Sequence, residues 1–456
     1  MTLLTPDFFW GNSTSSIQTE GAAHEGGKGP SLYDLKHETA NSADWNTAID
    51  EYHRYAEDIS LMKDLGMNFY RFQVSWSRVQ PRGEGDFNEE GIAFYHRLVD
   101  ELLAAGIQPM ICLYHFDLPL LLAEKYNGFV NRKVVDAFYI FARRMIDEFA
   151  GQVAYWITFN EQNLYSLPAA FKQSGYLTGD QTPYELYQIQ HHIALAHAKV
   201  ANYIHTQYPE LQIGGMLAYQ EFYPATPNPQ DIEAVRRFQE FVDFNLLRLF
   251  TEGRYSDEVI AYMKHHQLYD ILKEAELAEI SLTRSDFISF SYYATATMDS
   301  CLIPIDAMPN NYSALGQKKN PYLRANEWGW QIDPQGFYKV LMDLSNRTHL
   351  PVFPIENGIG VREKWDGVNL IEDNYRIDYH REHIRALKQA VSDGANVIGY
   401  LGWGLIDIPS SQGDVEKRYG VVFVNRNNHE LLDLKRVPKR SYRWLKQVIA
   451  SNAELI

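Results

Sequence analysis

The chain has 456 residues, 45% hydrophobic and 22% charged, a balance ordinary for a globular protein. Asp and Glu number 58 against 42 Lys and Arg, a net charge of −16, which argues against a general affinity for nucleic acid or an anionic membrane surface, both of which need clustered cations. Two cysteines, Cys112 and Cys301, exclude a disulfide framework and a Cys-rich zinc site.

The first residues, MTLLTPDFFWGN, carry no basic leader, and Pro6 and Asp7 break their brief apolar run, so no signal peptide is expected. No run approaches the roughly eighteen apolar residues of a membrane span. A cytoplasmic location follows as an expectation, with no membrane or nucleic-acid partner.

In chain order, short apolar runs read as strands at 8–18, 69–76, 108–115, 153–160, 212–219, 287–293, 352–358 and 397–404. Helical patterns lie between them. The first sets Ile92, Tyr95, Val99 and Leu102 on one face, with Asn88 placed to cap its start and Gly106 its end. The next sets Val134, Phe138, Phe141, Met145 and Phe149 together and ends at Gly151. A late one carries Ile384, Leu387 and Val391 and ends at Gly394.

Strands alternating with helices imply parallel strands covered by helices. Closure into a (β/α)8 TIM barrel is the economical arrangement, with a doubly wound open sheet as the alternative. The long stretches near 220–260 and 295–335 read as loops and extra elements inserted above the C-terminal face, so residues 1–456 are expected to form a single domain.

In such a barrel the reacting groups stand at the C-terminal ends of the strands. Those ends offer Gln18, Arg71, His115, Asn160 with Glu161, Tyr293, Glu356 and Trp403. A single strand-end Glu is usually a solvated loop residue. Two, with Arg, His and Asn converging, suit glycosidic cleavage: one carboxyl protonates the leaving oxygen while the other attacks the anomeric carbon. Arg71 is placed to hold one carboxylate ionised, and Tyr293 to donate to it.

At these residues the chain resembles glycoside hydrolase family 1. TFNEQ (158–162) is similar to that family's acid/base motif, usually T-F/L-N-E-P, and PIENG (354–358) to its nucleophile motif, I/V-T-E-N-G. FFWGNSTSSIQTEGA, NFYRFQVSWSRVQP, LYHFDLP and YGVVFV extend the likeness over nearly the whole chain. The resemblance implies that Glu161 is the acid/base and Glu356 the nucleophile of a retaining enzyme, with carboxyls about 5–5.5 Å apart. It implies that Asn160 holds the sugar's 2-hydroxyl, that Gln18, His115 and Trp403 line the sugar subsite, and that Arg71 and Tyr293 support Glu356. Neither metal nor cofactor is implied. Gln162 replaces the usual Pro, Ser291 a common Asn, and Phe116 a common Trp.

Relatives acting on plain sugars carry an F-E-W segment late in the chain. Here PSSQGD stands in its place, followed by Lys417 and Tyr419, which point the same way in an extended chain. A lost carboxylate and a gained cation suit a dianion, and loops after the last strands often hold phosphate in barrels. The stretch looks like the phosphate motif of 6-phospho-β-glycosidases, with either Ser410 or Ser411 as its serine. The expected substrate is therefore a 6-phospho-β-glucoside of the cellobiose- or aryl-glucoside-phosphate type. Ser411, where galactoside-preferring members place Trp, favours gluco over galacto. Trp330 is read as stacking on the aglycone, or as core.

Three alternatives stay open: a 6-phospho-β-galactosidase, a plain β-glucosidase, and a non-catalytic sugar-binding barrel. Oligomeric state is open too, a homo-oligomer being compatible with the chain. His191, His192 and His197 are set aside as a metal site because no partner carboxylate is evident, and Arg143–Arg144 and Arg236–Arg237 read as solvated helix faces.

Overall fold

The computed structural model describes residues 4–456; the first three residues of the expected 1–456 domain lie outside it. Eight parallel strands close into a barrel in sequence order. They are β1 (Phe9–Ser13), β2 (Phe69–Gln73), β3 (Gln108–Tyr114), β4 (Tyr155–Phe159), β5 (Gln212–Ala218), β6 (Phe287–Tyr292), β7 (Val352–Asn357) and β8 (Gly399–Gly402). Trp10 pairs with Tyr400 on one side of β1, and Ser13 with Arg71 on the other, which closes the ring and removes the open-sheet alternative.

The strands are apolar on both faces because both are covered. Phe69, Met110, Cys112, Ile157, Met216, Phe287, Phe353, Ile355 and Leu401 fill the barrel's interior. Their neighbours in sequence, such as Tyr70, Ile111 and Trp156, belong instead to the larger core under the helices.

The helices follow their apolar stripes. Glu89–Ala104 buries Ile92, Tyr95, Val99 and Leu102, and the chain leaves it through Gly106 at φ 77°. Asn88 does stand at its N-cap, yet its side chain caps nothing; it donates instead to the carbonyls of Gly26 (2.6 Å) and Arg78 (2.8 Å). Arg132–Phe149 buries all five expected residues and is capped by Asn131, whose side chain accepts from the Lys133 amide. Asn374–Ser392 buries Ile384 and Leu387.

The two insertions hold the extra elements expected of them. Helices span Pro229–Gln239, Asn245–Glu252 and Asp257–His265, and strands Glu221–Pro224, Thr295–Met298 and Gln317–Lys318 form a small sheet. Asn228 caps the first of these helices and Pro229 opens it. Phe222, Val235, Phe238 and Met298 give the insert a core of its own. Among the described residues, no helix is long and apolar enough to cross a membrane.

Candidate active site

Arg71 stands in β2 with no exposed surface, and it ties two strand ends together. Its Nη1 donates to Glu356 Oε1 at 2.8 Å and its Nη2 to Asn160 Oδ1 at 2.6 Å. The Tyr293 hydroxyl donates to the other oxygen of Glu356 at 2.8 Å. A local irregularity sets this geometry. Pro354 has no N–H to give the ladder, and the pairing of β7 with β6 shifts between Pro354 and Glu356. That shift brings Glu356 opposite Ser291.

Glu161 follows β4 with φ 44° and ψ 56°, a left-handed conformation uncommon for a residue with a side chain. The Asn160 amide still pairs with the Tyr114 carbonyl, so the strand ends one residue before the turn. Ser291 Oγ lies 2.5 Å from Glu161 Oε1. The two carboxyls therefore flank one spot, Ser291 touching the first and pairing in register with the second.

Arg71 was expected to keep its carboxylate readily ionised. Burial works against it: desolvation pushes Glu356 up to about 8, with Arg71 and Tyr293 pulling down and Glu161 pushing further up. Desolvation also raises Glu161, against the pull of Ser291 and Arg71. Burial and mutual repulsion both disfavour a doubly ionised pair. Glu356 already accepts from Arg71 and Tyr293, so a proton there would lack an acceptor. A cation and a hydroxyl favour the ionised form of Glu356, whereas Glu161 meets only Ser291 among the described residues, so Glu161 is the better proton carrier.

Gln18 was expected at a strand end. It lies instead in the short helix Ser16–Thr19 beyond β1, accepts from Ser15 Oγ (2.5 Å), and donates to the Pro409 carbonyl at 2.8 Å. That contact links it to Ser410. His115 and Trp403 pack ring to ring at 5.9 Å, and burial with Arg71 nearby lowers the His115 pKa well below its ordinary value, leaving it neutral. His115 Nδ1 is buried without a partner among the described residues.

Lys417 sits in the two-residue strand Lys417–Arg418, paired antiparallel with Val361–Arg362. Its ammonium lies 3.7 Å from the centre of the Trp330 ring, 4.8 Å from Trp328 and 5.4 Å from Tyr419, so Lys417 and Tyr419 do face one way. Lys417 is 6% exposed, and no carboxylate pairs with it among the described residues. Gly360 makes room: a Cβ there would fall 2.7 Å from Lys417 Cε. Behind the loop, buried Arg376 donates to the carbonyls of Ile359 (2.8 Å) and Tyr419 (2.7 Å), and Asp407 accepts from the Gly420 amide at 2.8 Å.

The two serines part company. Ser410 Oγ accepts from the Asp414 amide at 3.2 Å and braces its own turn. Ser411 is exposed and lines a cavity that reaches Glu161. Trp330 lines a second cavity with Glu161, Ser291 and Tyr293. The set-aside histidines have separate partners: His191 with Tyr255 (2.8 Å) and Glu276 (3.1 Å), His192 with the Phe129 carbonyl (2.7 Å), His197 with Thr158 (2.7 Å). A carboxylate, Glu276, thus does meet one of them, but the three rings do not converge.

Sequence reading missed Ser291 as a partner of Glu161, noting it only as a departure from Asn; the contact depends on strand register, which the sequence does not show. It also passed over Trp328, although EWGW offers two indoles and both face Lys417.

The sequence profile of glycosyl hydrolase family 1 matches residues 2–454. The chain belongs to glycosyl hydrolase family 1. Among its family relatives are the aryl-phospho-β-D-glucosidase BglC of Bacillus subtilis, 36% identical over 98% of this chain and 97% of that protein, and the 6-phospho-β-glucosidase AscB of Escherichia coli, 37% identical over 100% and 99%. A solved family 1 structure, the β-glucosidase of Exiguobacterium antarcticum B7, superposes with a TM-score of 0.87 over 100% of both chains at 31% identity.

Proposed function

We propose that the chain is a retaining 6-phospho-β-glucosidase that works as one barrel domain and releases glucose 6-phosphate. Glu161 donates its proton to the glycosidic oxygen while ionised Glu356 attacks the anomeric carbon. The C–O bond breaks, the aglycone leaves as the alcohol, and a glycosyl-enzyme ester forms on Glu356. Glu161, now ionised, takes a proton from water, whose oxygen displaces Glu356. Tyr293 and Arg71 position the nucleophile; Asn160, Gln18, His115 and Trp403 surround the sugar, and Trp330 borders the aglycone.

The observation that carries the phosphate assignment is the Lys417 ammonium, buried against indoles with no acid to neutralise it. A buried unpaired cation is costly unless a ligand supplies the counter-charge. The 6-phosphate would supply it, with Tyr419 and one serine as hydroxyl donors. Ser411, free where Ser410 braces its turn, is the better placed of the two. The small side chain there favours gluco over galacto substrates, and the names of the relatives agree. Hydrolysis of 4-nitrophenyl β-glucoside and its 6-phosphate tests the reading. A kcat/KM favouring the phosphate by orders of magnitude is expected; equal turnover would remove it.

A further inference from the structure

A cavity of about 490 Å³ is bounded by Glu161 and Ser411 and is lined by neither Glu356, Arg71, Tyr293 nor Lys417. Its walls include Tyr33, Phe116 and Tyr176, with Lys36 and Lys172 among the lining side chains. The Lys36 ammonium rests 3.4 Å from the centre of the Tyr33 ring. Burial, helped by repulsion from Lys172, lowers the Lys36 pKa to about 7. Both lysines line the same cavity, and neither forms an ion pair among the described residues. The acids nearest in sequence are engaged elsewhere: Asp34 accepts from the Ser31 amide (2.7 Å), and Glu38 bonds His429 (2.5 Å).

In a chain of net charge −16, two lysines without acid partners on one cavity wall favour an anion there. Both this cavity and the one Trp330 lines touch Glu161, so the departing group has two ways out from the proton donor, and this is the one that cations border. Aromatic walls suit a flat ring.

We infer that this cavity is an aglycone subsite for phenolic leaving groups that carry a carboxylate, which Lys36 and Lys172 bind. The inference rests on the 6-phospho-β-glucosidase reading for the sugar and adds a second anionic determinant on the other side of the scissile bond. The subsite lies apart from Lys417 itself and meets that loop at Ser411 and Gln412, so the two charges of the substrate face different cations.

The test compares two near-isosteric aglycones, 4-carboxyphenyl and 4-carbamoylphenyl, each as the β-glucoside 6-phosphate and as the plain β-glucoside. Wild-type enzyme should favour the carboxylate over the amide by roughly tenfold in kcat/KM, and Lys36→Met with Lys172→Ala should erase that preference while leaving the amide's turnover near wild type. The preference should also shrink in high salt. An acid-to-amide ratio near one in wild type overturns the inference, and so does an equal loss on both aglycones in the double variant, which would mean general steering. Failure of the parent reading looks different: the acid preference would persist while phosphorylated and plain sugars were cleaved alike.

Discussion

The Lys417 ammonium lies 3.7 Å from the centre of the Trp330 ring, and Trp330 itself packs 5.4 Å from Tyr293, the hydroxyl that holds Glu356. On the proposed function, sugar recognition and chemistry share one aromatic wall. The indole faces hold the cation without neutralising it, because a ring quadrupole attracts a charge but leaves its hydrogen-bond donors free.

Replacing Lys417 with Met should therefore act on one substrate and not the other. A hydrogen bond to a charged group contributes about 1.5–3 kcal/mol, so KM for the 6-phosphorylated substrate should rise roughly 10- to 150-fold while plain glucoside is little changed. Steady-state kinetics on the two substrates measure this. Equal losses on both would assign Lys417 to bracing the loop.

Burial lowers the Lys417 pKa to about 8, Asp414 opposing. The cation is present below that pH and lost as pH rises through it. The ratio of kcat/KM for phosphorylated over plain substrate should fall above a pH of about 8. Titration of Glu356 and Glu161 affects both substrates and cancels in the ratio. In Lys417→Met the ratio should be flat across this range; an unchanged slope there would place the titrating group elsewhere.

Much of this was legible in advance, and the reasons differ by feature. The barrel was readable because buried parallel strands are apolar throughout, while helices such as Arg132–Phe149 carry a 3.6-residue stripe. Glu161 and Glu356 were readable because their motifs fall at strand ends. The insert's own core was not, since Phe222, Phe238 and Met298 form it only once distant segments meet. Nor was the Ser291–Glu161 contact, which depends on strand register and on the shift after Pro354. The resistance of the carboxyl pair to double ionisation reflects burial, a property of the fold and not of the motif.

Tyr293→Phe removes one donor from Glu356 and keeps the ring against Trp330. The nucleophile's carboxylate then loses a hydrogen bond of about 1.5–3 kcal/mol, so kcat should fall roughly 10- to 150-fold, with thermal stability close to wild type. A drop in melting temperature matching the loss of activity would instead make Tyr293 a packing residue. Glu356→Gln should abolish turnover by orders of magnitude with the fold intact by circular dichroism.

Glu161→Ala removes the proton donor and, later, the base. Substrates with poor leaving groups should lose kcat by roughly 10²- to 10⁴-fold, whereas 2,4-dinitrophenolate needs no proton and should still be expelled in a burst. Azide, a nucleophile that needs no base, should then speed breakdown of the glycosyl-enzyme and give the β-glycosyl azide. An α-azide product would contradict a retaining path through Glu356.

The most direct measurement is a crystal structure of Glu356→Gln soaked with the intact 6-phospho-β-glucoside. The phosphoryl oxygens should lie about 2.7–2.9 Å from the Lys417 ammonium, with the glycosidic oxygen beside Glu161. A phosphoryl group found against Lys36 and Lys172, with Lys417 still turned onto Trp330, would contradict both the sugar's orientation and the reading of the loop.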